Sequence, residues 1–124
     1  MLKSLNMTTL PSSVAAEADL RGISITGGIV GAEDAQKVAR VFKALSDPTR
    51  VRLLSLIAAN SDGEVCLCEL TEPVGLSQPT VSHHMKLLVD AGLVTRDQRG
   101  RWAYYAIDAQ AFAELREVLD LDEN

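Results

Sequence analysis

Two cysteines, Cys66 and Cys68, stand one residue apart in the stretch EVCLCEL. Thiolates are soft donors and take thiophilic ions in preference to Mg or Ca. Free cysteines are often simply buried as small apolar residues, but Glu64 and Glu69 flank this pair and keep the segment partly wet. On a regular helix such a pair stands about 200° apart, so clasping one ion has to distort the helix. A second group lies in LSQPTVSHHMK. Gln78, Thr80, Ser82, His83 and Lys86 are polar residues at and after a helix start. Gln pairs bidentately with adenine, and Thr or Ser reaches bases or phosphates. His and Lys can contact bases or backbone. A third group, Arg96, Arg99 and Arg101 in RDQRGRW, suits a phosphate backbone or a minor groove. His83 and His84 are adjacent and diverge by about 100° on a helix, a poor arrangement for sharing a metal. The chain has no nucleophile–base motif, phosphate loop or H-E-x-x-H, so an enzyme is not expected.

These groups need elements to hold them. Residues 1–31 lack sustained periodicity, and GISITGGIVG suits an extended, flexible arm. Val38, Val41, Phe42 and Leu45 follow the i, i+3, i+4, i+7 spacing of a helix over 32–45. A second helix opens with Asp47 as N-cap and Pro48 in its first turn. Its expected buried stripe is Val51, Leu54, Ile57 and Ala58, and NSDG ends it. A short helix is expected across VCLCELTEPVG, stopped at Gly75. Ser77 then caps a helix with Pro79 in its first turn, and Val81, Met85, Leu88 and Val89 face inward. Gly92 stops it. A hairpin follows, with strands near 93–97 and 102–107 around Gly100. The last helix, about 109–121, carries Phe112, Leu115, Val118 and Leu119 on one side. An acidic tail, 122–124, closes the chain. Two helices joined by a tight Gly-containing turn form a helix-turn-helix, and the hairpin after it is a wing. The expected fold is mainly α with a small β-hairpin.

The chain of 124 residues, 47% apolar and 23% charged, is sized for one ordinary globular domain. No apolar run reaches the roughly 18 residues of a membrane span, and the first 20 residues lack an apolar core of signal-peptide length. The chain is therefore expected in the cytoplasm without a membrane partner. A C-x-C pair is also not the disulfide framework of a small secreted domain. The net charge of −5 argues at first against nucleic acid. However, the segment from Asp108 onward carries all of that excess, leaving residues 1–107 neutral. A local basic patch still acts, because phosphates feel charges within about 10 Å at moderate salt.

FKALSDPTRVRLLSLI, EVCLCELTE, LSQPTVSHHMKLLVDAGLV and RGRWAYYAI, in this order and spacing, resemble the ArsR/SmtB family of bacterial metalloregulatory repressors. The resemblance covers roughly residues 33–120. It implies a homodimeric winged helix-turn-helix that binds a double-stranded, pseudo-palindromic operator and releases it on binding a metal or metalloid ion. It implies a dimer interface on the first and last helices, through Val38, Val41, Phe42, Leu45, Phe112, Leu115, Val118 and Leu119. EVCLCEL resembles the ELCVCDL box in which the family's thiol sensors hold As(III), Sb(III), Cd(II) or Pb(II), so Cys66 and Cys68 are the implied ligands and As(III) the leading inducer. Thiol deprotonation would make affinity rise with pH. The departure is a missing third cysteine. Thr71 stands where the related box can carry one, and Ser12 and Ser13 stand in the arm where other members carry theirs. The alternatives are a Cd(II)- or Pb(II)-responsive repressor, a thiol-redox or persulfide-responsive one, or a winged helix that binds protein rather than DNA.

Overall fold

The computed structural model describes residues 18–121. Five helices and three strands follow in the order α1 (Ala32–Leu45), α2 (Pro48–Ala59), β1 (Val65–Cys66), α3 (Thr71–Val74), α4 (Gln78–Asp90), β2 (Val94–Arg99), β3 (Trp102–Ile107) and α5 (Ala109–Leu119), with a 3-10 turn over Leu67–Glu69 between β1 and α3. The helix starts are chemically specified. Asp47 accepts the Arg50 N–H at 3.1 Å, Ser77 accepts the Thr80 N–H at 3.3 Å, and Asp108 accepts the Ala111 N–H at 3.1 Å. Each meets a donor that the helix itself leaves without a partner.

The sheet is antiparallel with order β1-β3-β2. The wing hairpin runs in register from Val94↔Ile107 to Arg99↔Trp102, around a tight turn in which Gly100 takes a φ of 63°. The core lies between α2, α4 and the sheet, where Leu53, Val81, Met85, Leu88, Leu93 and Val94 are fully buried.

Three expectations change. On α2, Val51 is 50% exposed and Ala58 is exposed; the inward face is Leu53, Leu54 and Ile57. Leu54 and Ile57 face inward as expected, and Leu53 joins them because α2 packs against both β3 and α4. The segment expected as one short helix is a strand, a 3-10 turn and a four-residue helix. Extended Val65 and Cys66 pair with Tyr105 and Tyr104 of β3, because an open sheet edge satisfies their backbone groups. Residues 18–30, grouped by sequence with the arm, belong to the folded unit. Leu20 and Ile23 are buried in the core, and Ile25 donates its N–H to the Val118 carbonyl at 3.0 Å.

Glu114 fastens this segment. It is 7% exposed, accepts the Leu20 N–H at 3.0 Å and accepts from the Gln110 amide at 3.1 Å. Replacing it with Leu leaves a poorly hydrated backbone donor without a partner. Glu114→Leu should cost about 1–3 kcal/mol, seen as a lower urea midpoint, while Glu114→Gln should cost less because its carbonyl can still accept.

Candidate nucleic-acid interface and thiol site

The helix-turn-helix is formed by α3, a turn and α4. Gly75 at the turn adopts a left-handed φ of 69°, and its N–H reaches the Glu72 and Thr71 carbonyls. A side chain is strained in that conformation, so glycine serves it. Beyond the turn, Val81, Met85 and Leu88 of α4 are buried. Gln78, Thr80, His83 and Lys86 are exposed and Ser82 is half-buried. The five residues expected to read DNA thus lie away from the core at and after the helix start, where N–H groups also favour a phosphate. Lys86 Nζ meets Asp90 at 2.7 Å, an exposed pair that a phosphate can displace at small cost.

His84 plays a different part from His83. Its Nδ1 lies 3.1 Å from Arg50 Nη1 and 4.0 Å from Asp47. Arg50 also holds carbonyls at the end of α1. This cluster fixes the pitch of α4 against the α1–α2 corner, and Arg52 ties α2 to α3 through the Pro73 carbonyl at 2.9 Å. Sequence patterning did not find these clamps, since both arginines lie on a helix face that reads as solvated.

The wing arginines are not equivalent. Arg101 is exposed at the turn. Arg96 bonds Gln98 along its own strand. Arg99 is held by Glu64 through two bonds of 2.6 and 2.7 Å and by Asp97 at 2.8 Å, and it lies 4.5 Å above the Tyr104 ring. These carboxylates push the Arg99 pKa up, and Arg99 in turn holds Glu64 below the ordinary carboxylate range. Of the three residues expected to meet phosphate, Arg99 is thus committed to the sheet beside the thiols, and Arg101 is the freest.

Cys66 is buried and Cys68 exposed. Both line one cleft, together with Asp62, Glu64, Glu69, Trp102 and Tyr104. The expected 200° separation on a helix does not occur, because Cys66 is extended, with φ −71° and ψ 143°, and caps the 3-10 turn. Its Sγ accepts the Cys68 N–H at 3.3 Å, and its own N–H donates to Glu69 at 3.1 Å. This reciprocal capping box turns both thiols toward one cleft. Hydrogen bonding to Cys66, then partial desolvation and the nearby Cys66 and Glu69 charges, push the Cys68 thiol up. Two soft donors fit a thiophilic ion. Among the described residues no three His, Cys, Asp or Glu side chains gather closely enough to hold one. Ser12 and Ser13 lie outside the described residues. The 3-10 turn packs against both α4 and β3, so the pair stands between the reading helix and the wing.

The helix faces expected to meet a second copy are partly used up. Val38, Val41, Leu115 and Val118 are buried within their own chain, in one core with Leu20 and Ile23 of the N-terminal segment. Phe42, Leu45 and Phe112 are partly buried. Val38, itself buried at the groove floor, and Phe42 edge an open apolar groove with Ile25, Val30, Ala35 and Ala39, and Leu119 is 54% exposed.

Residues 47–96 match the model of the family described as bacterial regulatory protein, arsR family. The chain is 38% identical over 88 residues to an uncharacterised helix-turn-helix transcriptional regulator of Methanocaldococcus jannaschii, covering 71% of this chain and 97% of that one. It is 38% identical over 86 residues to an arsenical resistance operon repressor of Staphylococcus xylosus, covering 69% and 80%. Among solved structures it is similar to the homodimeric winged helix-turn-helix DNA-binding domain of a possible ArsR-family regulator from Mycobacterium bovis, with 31% identity, a TM-score of 0.58 and coverage of 72% and 82%. The winged helix-turn-helix architecture, the matched segment spanning thiols and reading helix, and the extent of these likenesses lead to one assignment: the chain belongs to the arsR family of bacterial regulatory proteins, which are transcriptional regulators rather than enzymes.

Proposed function

We propose that this protein is a cytoplasmic, homodimeric repressor that binds a pseudo-palindromic operator and releases it when As(III), or a related thiophilic ion, binds Cys66 and Cys68. The observation that carries this reading is the position of the thiol pair, on a capped turn packed against both α4 and β3. Gln78, Thr80, Ser82 and His83 meet base edges, while Lys86 and Arg101 meet phosphates. The apolar groove on α1, together with Leu119 and Ile25, receives the second copy. A two-fold dimer sets two copies of α4 about one DNA turn apart.

The thiolates of Cys66 and Cys68 hold the ion. The Cys66 sulfur then gives lone-pair density to the ion as well as to the Cys68 N–H, so its cap on the 3-10 turn weakens. The turn shifts against α4 and β3, and the two copies of α4 lose their spacing. This replaces helix unwinding as the source of strain, and it supplies a coupling of about 1–3 kcal/mol. A redox-responsive alternative gains little, since a disulfide between residues only two apart closes a strained ring.

The pH dependence separates the candidate inducers. Cys68 is held above its ordinary range, so it carries its proton at neutral pH. A bare cation such as Cd(II) displaces thiol protons into solvent, and its affinity should rise by about tenfold per pH unit for each proton displaced. Arsenous acid brings its own hydroxides and takes those protons away as water, so the rise with pH expected of a thiol site does not extend to it and its affinity should stay flat across pH 6–8. Titrations at three pH values in that range check both slopes.

The DNA reading is tested by gel shift with a fragment of the protein's own promoter. The expected result is binding near 100 mM salt that weakens steeply as salt rises. Absence of salt-sensitive binding would favour the protein-interaction alternative.

A further inference from the structure

The cleft has two thiols and an aromatic wall. Cys66 is paired with Tyr104 across the β1–β3 ladder, and cross-strand partners share a sheet face. Trp102 lies two residues along from Tyr104 and therefore projects from the same face, while Ala103 and Tyr105 between and beyond them are buried in the core. Trp102 is 44% exposed, an unusual cost for the chain's sole tryptophan. Two of the three carboxylates lining the cleft have partners already: Glu69 accepts the Cys66 N–H and Glu64 is clasped by Arg99, while Asp62, the third, is a hard oxygen donor poorly suited to a thiophilic ion. No third soft donor gathers among the described residues, and no third cysteine exists in the chain.

An inorganic As(III) centre has three bonds to fill, and this site offers two sulfurs. A trivalent organoarsenical has one bond already taken by carbon. We propose that the preferred ligand of the Cys66–Cys68 cleft is a monosubstituted organoarsenical carrying an apolar or aromatic group, with the arsenic on the two sulfurs and the organic group against Trp102 and Tyr104. This rests on the thiol-inducer reading above and narrows it. The exchange balances without an oxidant. Two As–O bonds of R–As(OH)2 break and two As–S bonds form. Each thiol proton leaves with a hydroxide as water, and arsenic remains trivalent.

Calorimetric titration of the reduced full chain with phenylarsenous acid, methylarsenous acid and arsenite tests this. One equivalent of phenylarsenous acid should bind per chain, about tenfold or more tighter than arsenite. Trp102→Ala, at an exposed position and checked for folding by circular dichroism, should weaken phenylarsenous acid by about three- to tenfold through loss of the ring contact. The same variant should leave arsenite unchanged. Cys66→Ser and Cys68→Ser should each abolish tight binding of all three. Arsenite binding as tightly as the phenyl compound, or a phenyl affinity indifferent to Trp102→Ala, would overturn the organoarsenical preference and leave the repressor reading standing. No binding of any arsenical to the wild type would overturn the organoarsenical preference and the choice of arsenic as inducer together.

Discussion

Cys66→Ser and Cys68→Ser should keep operator affinity within about twofold of wild type, as substitutions outside the DNA contact surface usually do, while losing ion-induced release. The two variants differ instructively. Serine is a better N-cap than cysteine, so a hydroxyl at position 66 can still accept the Cys68 N–H and preserve the box that Glu69 closes. The fold of the turn is then retained and only the soft donor is lost. At position 68 the side chain is exposed and its replacement costs the fold little. In wild type the ion is expected to weaken operator binding by about 5- to 150-fold; in either variant that factor should fall to about one. Fluorescence anisotropy of labelled operator, with and without the ion, reads both numbers. Loss of DNA binding itself would mean that the thiols support the reading helix rather than switch it.

The second large effect concerns the reading helix. Gln78→Ala and His83→Ala should each weaken specific operator binding by about 1–3 kcal/mol and relax preference at one base pair. Binding to unrelated DNA should hardly change. Arg101→Ala should behave in the opposite way, weakening all sequences alike and reducing the slope against log salt by about one. Arg99→Ala should show a smaller direct loss, because its guanidinium already has Glu64 and Asp97 as partners. His84→Ala should act through helix placement, since His84 meets Arg50 rather than the solvent face. Competition titrations with specific and unrelated duplexes distinguish these classes.

The parts of this architecture governed by local chemistry were readable in advance. Asp47–Pro48 and Ser77 with Pro79 mark helix starts, and α1 begins and ends at Ala32 and Leu45 as its apolar spacing predicts. Gly75 and Gly100 mark turns, and the wing follows from its strand pattern. Parts set by tertiary partners were not. Val65 and Cys66 have no strand partner until β3 offers an edge, so the local sequence reads as helix where the structure has a two-residue strand. The inward face of α2 is widened to Leu53 by its two packing partners, β3 and α4, which periodicity alone does not encode. Leu20 and Ile23 join the core because Glu114, 94 residues beyond Leu20, receives its N–H. The residue types of the site were legible, whereas their relative commitment was not. Arg99, Arg96 and Arg101 look alike in sequence, yet Glu64 removes the first from the free basic patch.

Shape and charge support the same division of labour. The acidic excess lies in the sequence from Asp108 onward, beyond the wing turn and α4, so an overall charge of −5 is compatible with a DNA-facing surface. Among the described residues no helix is long and apolar enough to cross a membrane.

The central claim is that one ion at the thiol pair and one operator at α4 oppose each other. Linkage requires the effect to be mutual. The direct measurement is therefore the affinity of the inducing ion for the free protein and for the operator-saturated protein. The account predicts that the ion binds free protein about 5- to 150-fold more tightly, by the same factor with which it weakens operator binding. Equal ion affinity in the two states would contradict it, however tightly Cys66 and Cys68 hold the ion.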